Sequence, residues 1–284
     1  MHSPLATPTA TKAVLQRHGL FTKHRLGQNF LVNDAVIGRI LGLAELTPQD
    51  VVLEVGPGIG TLTCALLPQC AAVVAVEMDP DLPAVLAETC ARDSEKLTVV
   101  PGDAVRLVPR AFLDFLDGAA PVPDKLVSNL PYQVAATIVL KTFQELPSVD
   151  RAVVMVQREV ADRIAAGPGT KAYGAYTAKL RLFARVTGRF EVGPGNFFPP
   201  PRVDSAVVRL DRAMLVPEDE APSVCAVIDA AFAQRRKTIR NSMGATGFEK
   251  ARLDAAFEAC GISPACRAET LAPEQFVALA RALA

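Results

Sequence analysis

Four consecutive residues, Asn129-Leu130-Pro131-Tyr132, carry the groups an aromatic amine needs in order to act as a nucleophile. The lone pair of such an amine is delocalised into its ring, so the nitrogen reacts only when it is drawn towards a tetrahedral geometry. The Asn129 carboxamide oxygen and the Leu130 backbone carbonyl can accept its two N–H bonds. Pro131 stiffens the turn, and Tyr132 offers a face on which a base can stack. In-line attack on an activated methyl group then needs mainly positioning. No strongly basic side chain is required, because the proton can leave after the nitrogen has become cationic. The exocyclic amine of an adenine fits this description, and S-adenosylmethionine fits the methyl donor.

Upstream lies Glu54-Val55-Gly56-Pro57-Gly58-Ile59-Gly60. A strand that ends in spaced glycines lets the backbone turn sharply and lets a ligand approach where a Cβ would clash. The dinucleotide fingerprint fits imperfectly, since Thr61 takes the place of its last Gly or Ala. A nucleoside cofactor without a pyrophosphate removes that difficulty. Glu77 follows a second apolar run and can accept from both hydroxyls of a ribose. Asp103 follows a third and can accept from the cofactor's adenine amine. Glu54 is either structural or faces the sulfonium. An acid after a strand is often only a helix cap, so the weight rests on the ordered set Gly56/Gly58/Gly60, Glu77, Asp103 and Asn129 at successive strand ends, where ligands of such sheets bind.

The elements that must hold these residues can be read from hydrophobic periodicity. Strands are expected over 51–55, 73–77, 97–100, 125–128, 152–156, 189–192 and 203–210. Helices are expected over 61–67, 81–91 and 135–146, from Arg158, and through 179–183, with a further helix capped by Asp34. Continuous apolar strands that alternate with helices imply a mostly parallel sheet covered on both faces. The polar stretch 212–222 reads as a linker, and only helical patterns follow it. The expected division is a cofactor-binding domain over 1–211, with an N-terminal arm 1–33, and a helical domain over 212–284.

The chain of 284 residues has zero formal charge, but the charge is unevenly spread. Residues 34–150 hold 7 basic and 16 acidic side chains, whereas residues 151–210 hold 10 and 4. Arg235, Arg236, Lys237 and Arg240 form a local basic cluster near the C-terminus. An acidic core flanked by basic segments fits a polyanion held across one face. The six cysteines show no metal-ligand spacing, so free thiols and no metal are expected. The uncharged run 55–76 is long enough to cross a bilayer, but its glycines and prolines break it into strand, turn and helix, so a soluble protein is expected. Asn196-Phe197-Phe198-Pro199 can supply a second aromatic for the target base, with Phe197 the preferred ring.

These residues together resemble the small-subunit rRNA adenine N6-dimethyltransferases, the family whose loss confers kasugamycin resistance. The resemblance runs through His24-Arg25-Leu26-Gly27-Gln28-Asn29-Phe30-Leu31, Val52–Thr63, Glu77, Gly102-Asp103, Ser128–Tyr132, Phe197–Val207 and Gln234–Asn241. It implies a class I S-adenosylmethionine-dependent methyltransferase fold, α/β and Rossmann-like with a seven-stranded sheet, followed by a small all-helical C-terminal domain. It implies cofactor contacts at Asn29, Leu31, Gly56, Gly58, Glu77, Asp103 and Asn129, with Gln28 a weaker candidate, and chemistry at Asn129, Leu130, Tyr132 and Phe197. The implied reaction dimethylates two adjacent adenosines near the 3′ end of small-subunit rRNA, within an immature 30S subunit, by a cytoplasmic and monomeric enzyme. Gln133, Tyr176 and Arg202 depart from the usual pattern.

Three rivals remain. A 23S rRNA adenine methyltransferase of the macrolide-resistance type shares the core and the chemistry. An NAD-linked dehydrogenase would have no use for Asn129-Leu130-Pro131-Tyr132. A catalytically idle assembly factor would not need the glycine motif or Asn129.

Overall fold

The structure, a computed structural model, describes residues 1–21, 28–107 and 121–284. The His24–Gly27 part of the first motif, with the arm residues Lys23 and Arg25, lies outside them. Nine strands are described: β1 (Phe30–Leu31), β2 (Val51–Val55), β3 (Ala72–Glu77), β4 (Leu97–Pro101), β5 (Lys125–Asn129), β6 (Arg151–Gln157), β7 (Ala184–Val192), β8 (Phe197–Phe198) and β9 (Ser205–Arg212). Seven form one sheet in the order β4-β3-β2-β5-β6-β9-β7. Strands β2 to β6 pair in parallel, and β9 runs antiparallel to β6. The α/β class and the antiparallel edge are therefore as the apolar pattern implied.

The central strands form where they do because neither face of the sheet meets water. Every residue of β2 is buried. One face, with Val52, Val73, Ala75, Val127 and Val153, shares a core with Val36, Ile37, Ile40 and Leu41 of the helix Asp34–Ala44. Residues of the other parity, Leu53, Val74, Leu126 and Val154, are equally buried. The helix Ala135–Glu145 buries Ile138, Val139 and Phe143. Burying one such side chain stabilises by about 1.5–3 kcal/mol, so these runs specify the sheet. The chain moves outward from β2 to β4, then returns to place β5 on the other side of β2. That reversal opens a crevice beyond the carboxyl ends of β2 and β5.

Two local expectations need correction, and one short pair had no forerunner in the sequence. Strand β7 starts at Ala184, ahead of the apolar stretch at 189–192, because alternate residues are exposed and no continuous apolar run marks it. The helix after β1 is capped by Asn33, whose side chain accepts from the Ala35 N–H at 2.9 Å. Asp34 instead accepts from the backbone N–H groups of His2 and Ser3, which fastens the amino terminus. The antiparallel pair β1–β8, with Phe30 opposite Phe198 and Leu31 opposite Phe197, is too short to have a period.

Two compact units result, one of residues 1–161 with 186–211 and one of 162–185 with 212–284. The expected boundary near 212 left 162–185 in the first domain. Tyr173 accounts for the grouping of that segment with the C-terminal helices. It is buried, its hydroxyl donates to the Leu271 carbonyl at 2.9 Å, and its ring meets Phe232 edge-on. Phe232 in turn meets Phe276 of the helix Pro273–Leu283. Among the described residues, no helix is long and apolar enough to cross a membrane.

Candidate active site

Asn29, Leu31, Gly56, Gly58, Glu77, Asp103, Asn129, Leu130 and Tyr132 line one cavity of about 390 Å³ within the first unit. They reach it because β2, β3 and β5 all end there and the two-residue strand β1 crosses beside them. The glycine turn has its backbone in the left-handed region, with φ of +70° at Gly56 and +60° at Gly58. A Cβ on Gly56 would lie 3.3 Å from the Pro131 ring, and one on Gly58 would lie 3.0 Å from the Phe30 ring. The turn is thus wedged between the Asn-Leu-Pro-Tyr segment on one side and β1 on the other.

The two halves of the cavity are built differently. In the glycine half, Glu77 is 7 % exposed, and its carboxylate accepts from the Asp79 N–H at 2.7 Å and from the Gly58 N–H at 3.4 Å. Burial raises its pKa and these backbone donors work against the rise. Glu54 is 2 % exposed and accepts from the Thr63 hydroxyl at 2.7 Å. Burial pushes its pKa up to about 8, so it carries a proton at neutral pH. Asp103 accepts from the Val105 N–H at 3.0 Å. The Thr61 hydroxyl is buried with no hydrogen-bond partner among the described residues.

In the other half, the Asn129 Nδ2 donates to the Asn29 backbone carbonyl at 3.3 Å. With the amide's donor side turned to the main chain, Oδ1 is the end left for a ligand. The Leu130 N–H donates to the Met155 carbonyl at 3.1 Å, which ties the segment to β6. Tyr132 is half-buried, and its hydroxyl shares a 2.6 Å hydrogen bond with Ser205. Burial raises the Tyr132 pKa against this bond, so the phenol is a neutral aromatic face and not a base.

Phe197 is placed away from the cavity wall. It is 3 % exposed, packs in the core with Leu31 and Val207, and does not line the cavity. Its neighbour Phe198 is also turned away, beneath the Lys12 ammonium. Gln28 does line the cavity, and its Nε2 donates to Asp79 at 2.9 Å. Phe30, Met78, Leu82 and Gln157 complete the wall without having been expected. Gln157 was within reach of sequence reasoning, because it is the last residue of β6 and obeys the same strand-end rule as Asn129.

The charge of the lining limits what it can hold. Among the described residues, Glu54, Glu77 and Asp103 face the cavity and no Lys, Arg or His does. A pyrophosphate would meet carboxyl groups with no cation to compensate. A nucleoside that carries a diol at one end and a positive charge at the other suits the same set, as S-adenosylmethionine does. Among the described residues, no group of three His, Cys, Asp or Glu side chains is placed to hold a metal ion, and all six cysteines are free thiols.

Comparison with known proteins agrees with this geometry. Residues 20–284 match the family model described as ribosomal RNA adenine dimethylase. A protein of Rhodococcus opacus named ribosomal RNA small subunit methyltransferase A is 42% identical over 97% of this chain and 94% of its own length. The protein of the same name in Thermobifida fusca is 41% identical over 97% of this chain and 95% of its own. Among solved structures, a dimethyladenosine transferase from Plasmodium falciparum aligns with a TM-score of 0.73 at 26% identity, over 88% of this chain and 95% of that one. The 23S rRNA methyltransferase ErmE aligns with a TM-score of 0.66 at 27% identity, over 90% of this chain and 99% of that one. With the fold, the acidic nucleoside cavity and the Asn-Leu-Pro-Tyr segment in place, these matches establish that the chain belongs to the ribosomal RNA adenine dimethylase family.

Proposed function

We propose that the chain transfers methyl groups from S-adenosylmethionine to the N6 amines of two adjacent adenosines near the 3′ end of small-subunit rRNA. The observation that carries this reading is the fixed Asn129 amide, whose Oδ1 is left for a ligand at the edge of an acidic nucleoside cavity. Bound S-adenosylmethionine supplies an electrophilic methyl group on sulfonium sulfur. Gly56 and Gly58 would give its nucleoside room, Glu77 would accept from the ribose hydroxyls, Asp103 would accept from its adenine amine, and Leu31 of β1 with Asn29 just before that strand would complete its contacts. Asn129 Oδ1 and the Leu130 carbonyl draw the two N6 hydrogens of the target base, while Tyr132 holds the base by its face. A splayed-out base gains roughly 1–3 kcal/mol from such stacking, enough to select one orientation. The relatives named for the small subunit favour that target over the 23S rRNA named for the ErmE structure. The partner is an immature 30S subunit, and the enzyme works as a cytoplasmic monomer.

RNA binding is assigned to the C-terminal helices. Arg235 is paired with Glu269 and Arg240 with Asp254, whereas Arg236 and Lys237 are exposed on the turn between Ala221–Phe232 and Ile239–Gly244. Replacing Arg236 and Lys237 with Ala should weaken binding to the subunit and lower the salt slope of log affinity by about one per lost phosphate contact. An unaltered slope would mark the turn as a solvated face. The decisive experiment for the reaction is methylation of purified, unmodified small subunits followed by mapping of the modified bases. Dimethyladenosine confined to large-subunit RNA would overturn the assignment.

A further inference from the structure

Ser205 does not itself line the cavity, yet it is bound to Tyr132, which does. Its hydroxyl lies 2.6 Å from the Tyr132 hydroxyl, and the residue is 0% exposed. It opens β9, where it stands opposite Gln157, the last residue of β6. The residue before it is fixed twice by Arg158. The Arg158 N–H donates to the Asp204 carbonyl at 2.9 Å, and the Arg158 guanidinium meets the Asp204 carboxylate at 3.1 Å. Ser205 is therefore a post anchored in the sheet. Tyr132, by contrast, sits on a turn held by the Leu130 and Val134 N–H groups, with a ring that two side-chain torsions can reorient.

A half-buried phenol needs a partner, because an unpaired hydroxyl in that position costs about 1–3 kcal/mol. Between Tyr132 and the sheet, Ser205 is the partner provided. The bond fixes the far end of the ring, and so where the ring lies against the cavity. We infer that Ser205 is a positioning residue for the transfer reaction: it sets the position of the Tyr132 ring, and through it the approach of the target amine to Asn129. The inference rests on the reading of Tyr132 as the base-holding face.

The test compares wild type, Ser205→Ala, Tyr132→Phe and the double variant. Turnover and KM are measured on unmodified small subunits, S-adenosylhomocysteine affinity by calorimetry, and thermal stability by melting. Tyr132→Phe keeps the ring and removes only the bond, so it reports on the bond even where Ser205→Ala folds poorly. Each single variant should lose about tenfold in kcat, as expected for a small misplacement of a reacting group, with S-adenosylhomocysteine affinity held within about twofold. The double variant should lose no more than the worse single, because both changes remove one interaction. Losses that multiply, a parallel fall in S-adenosylhomocysteine affinity, or an unchanged kcat in Tyr132→Phe would overturn the inference. Failure of the wider reading looks different: wild type itself would then leave small subunits unmodified, and the same ratios would be read on whichever rRNA it does methylate.

Discussion

The two ends of the cavity achieve recognition with different parts of the chain. At the cofactor end the decisive atoms are backbone: Gly56 and Gly58 at positive φ, and peptide N–H groups that fix Glu77. At the proposed acceptor end two side chains held by bonds to other segments, Asn129 to Asn29 and Tyr132 to Ser205, stand beside the Leu130 carbonyl. The cofactor end is thus sensitive to added bulk, because its glycines have neighbours within 3.3 Å of a Cβ. The acceptor end is sensitive to lost atoms, because each group there has one task. Binding and turnover should separate along the same line.

The sharpest separation is expected from Asn129→Ala. The acceptor it removes matters most as N6 becomes tetrahedral and cationic, so the loss falls on the transition state and not on the resting complex. Turnover on small subunits should fall about 100-fold or more, the scale of deleting one preorganised electrostatic partner, while S-adenosylhomocysteine affinity changes less than about threefold. Equal losses in both would erase the distinction between the two ends.

Gly58→Ala tests the opposite end. A Cβ there meets Phe30 at 3.0 Å, on a backbone with φ of +60°. Left-handed backbone costs an L-residue about 1–2 kcal/mol, and Phe30 must move as well. Phe30 lines the cavity and pairs with Phe198, so its displacement reaches β1 and the Asn29 and Leu31 beside it. Cofactor affinity should drop about tenfold, the equivalent of roughly 1.4 kcal/mol, with kcat at saturating cofactor nearly kept. A kcat effect without an affinity effect, measured by calorimetry and steady-state kinetics, would contradict a steric role.

How much of this was legible in the sequence follows the same division. The parallel strands were legible because burial on both faces writes them as unbroken apolar runs, and strand ends then located Glu77, Asp103 and Asn129. The first half of strand β7 and the β1–β8 pair were not, since edge strands alternate and two-residue strands have no period. The grouping of 162–185 with the C-terminal helices depends on Tyr173 meeting Phe232 and Leu271, partners far along the chain that no local pattern names. The placement of Phe197 was hidden for the same reason: an aromatic beside prolines reads alike whether it faces a ligand or, as here, packs with Leu31 and Val207. Ser205 was invisible because its meaning lies in one bond across the fold.

Glu54 gives the most discriminating prediction. Among the groups that shift it, burial comes first, the Thr63 hydroxyl works against it, and Cys90 and Glu77 add smaller repulsions. In the unfolded chain its carboxyl ionises near 4.5, whereas in the folded protein it holds its proton up to about pH 8. Between those values the folded state binds more protons than the unfolded state, so its contribution to stability is intact below the unfolded pKa and drains away as pH rises through the folded one. Glu54→Gln has nothing to ionise, and its amide oxygen can still accept from Thr63. The variant should therefore gain on wild type by up to about 1.4 kcal/mol per pH unit across this window and no further above it. Melting curves from pH 5 to pH 9 read the gap directly. Asn129→Ala, taken as the control from the other end of the cavity, should keep a constant offset over the same range, since it changes no titrating group. A Glu54→Gln gap that stays flat with pH would mean that the carboxyl is already ionised inside the fold. Glu54 would then add a third charge to the carboxylates of Glu77 and Asp103 at the cofactor end.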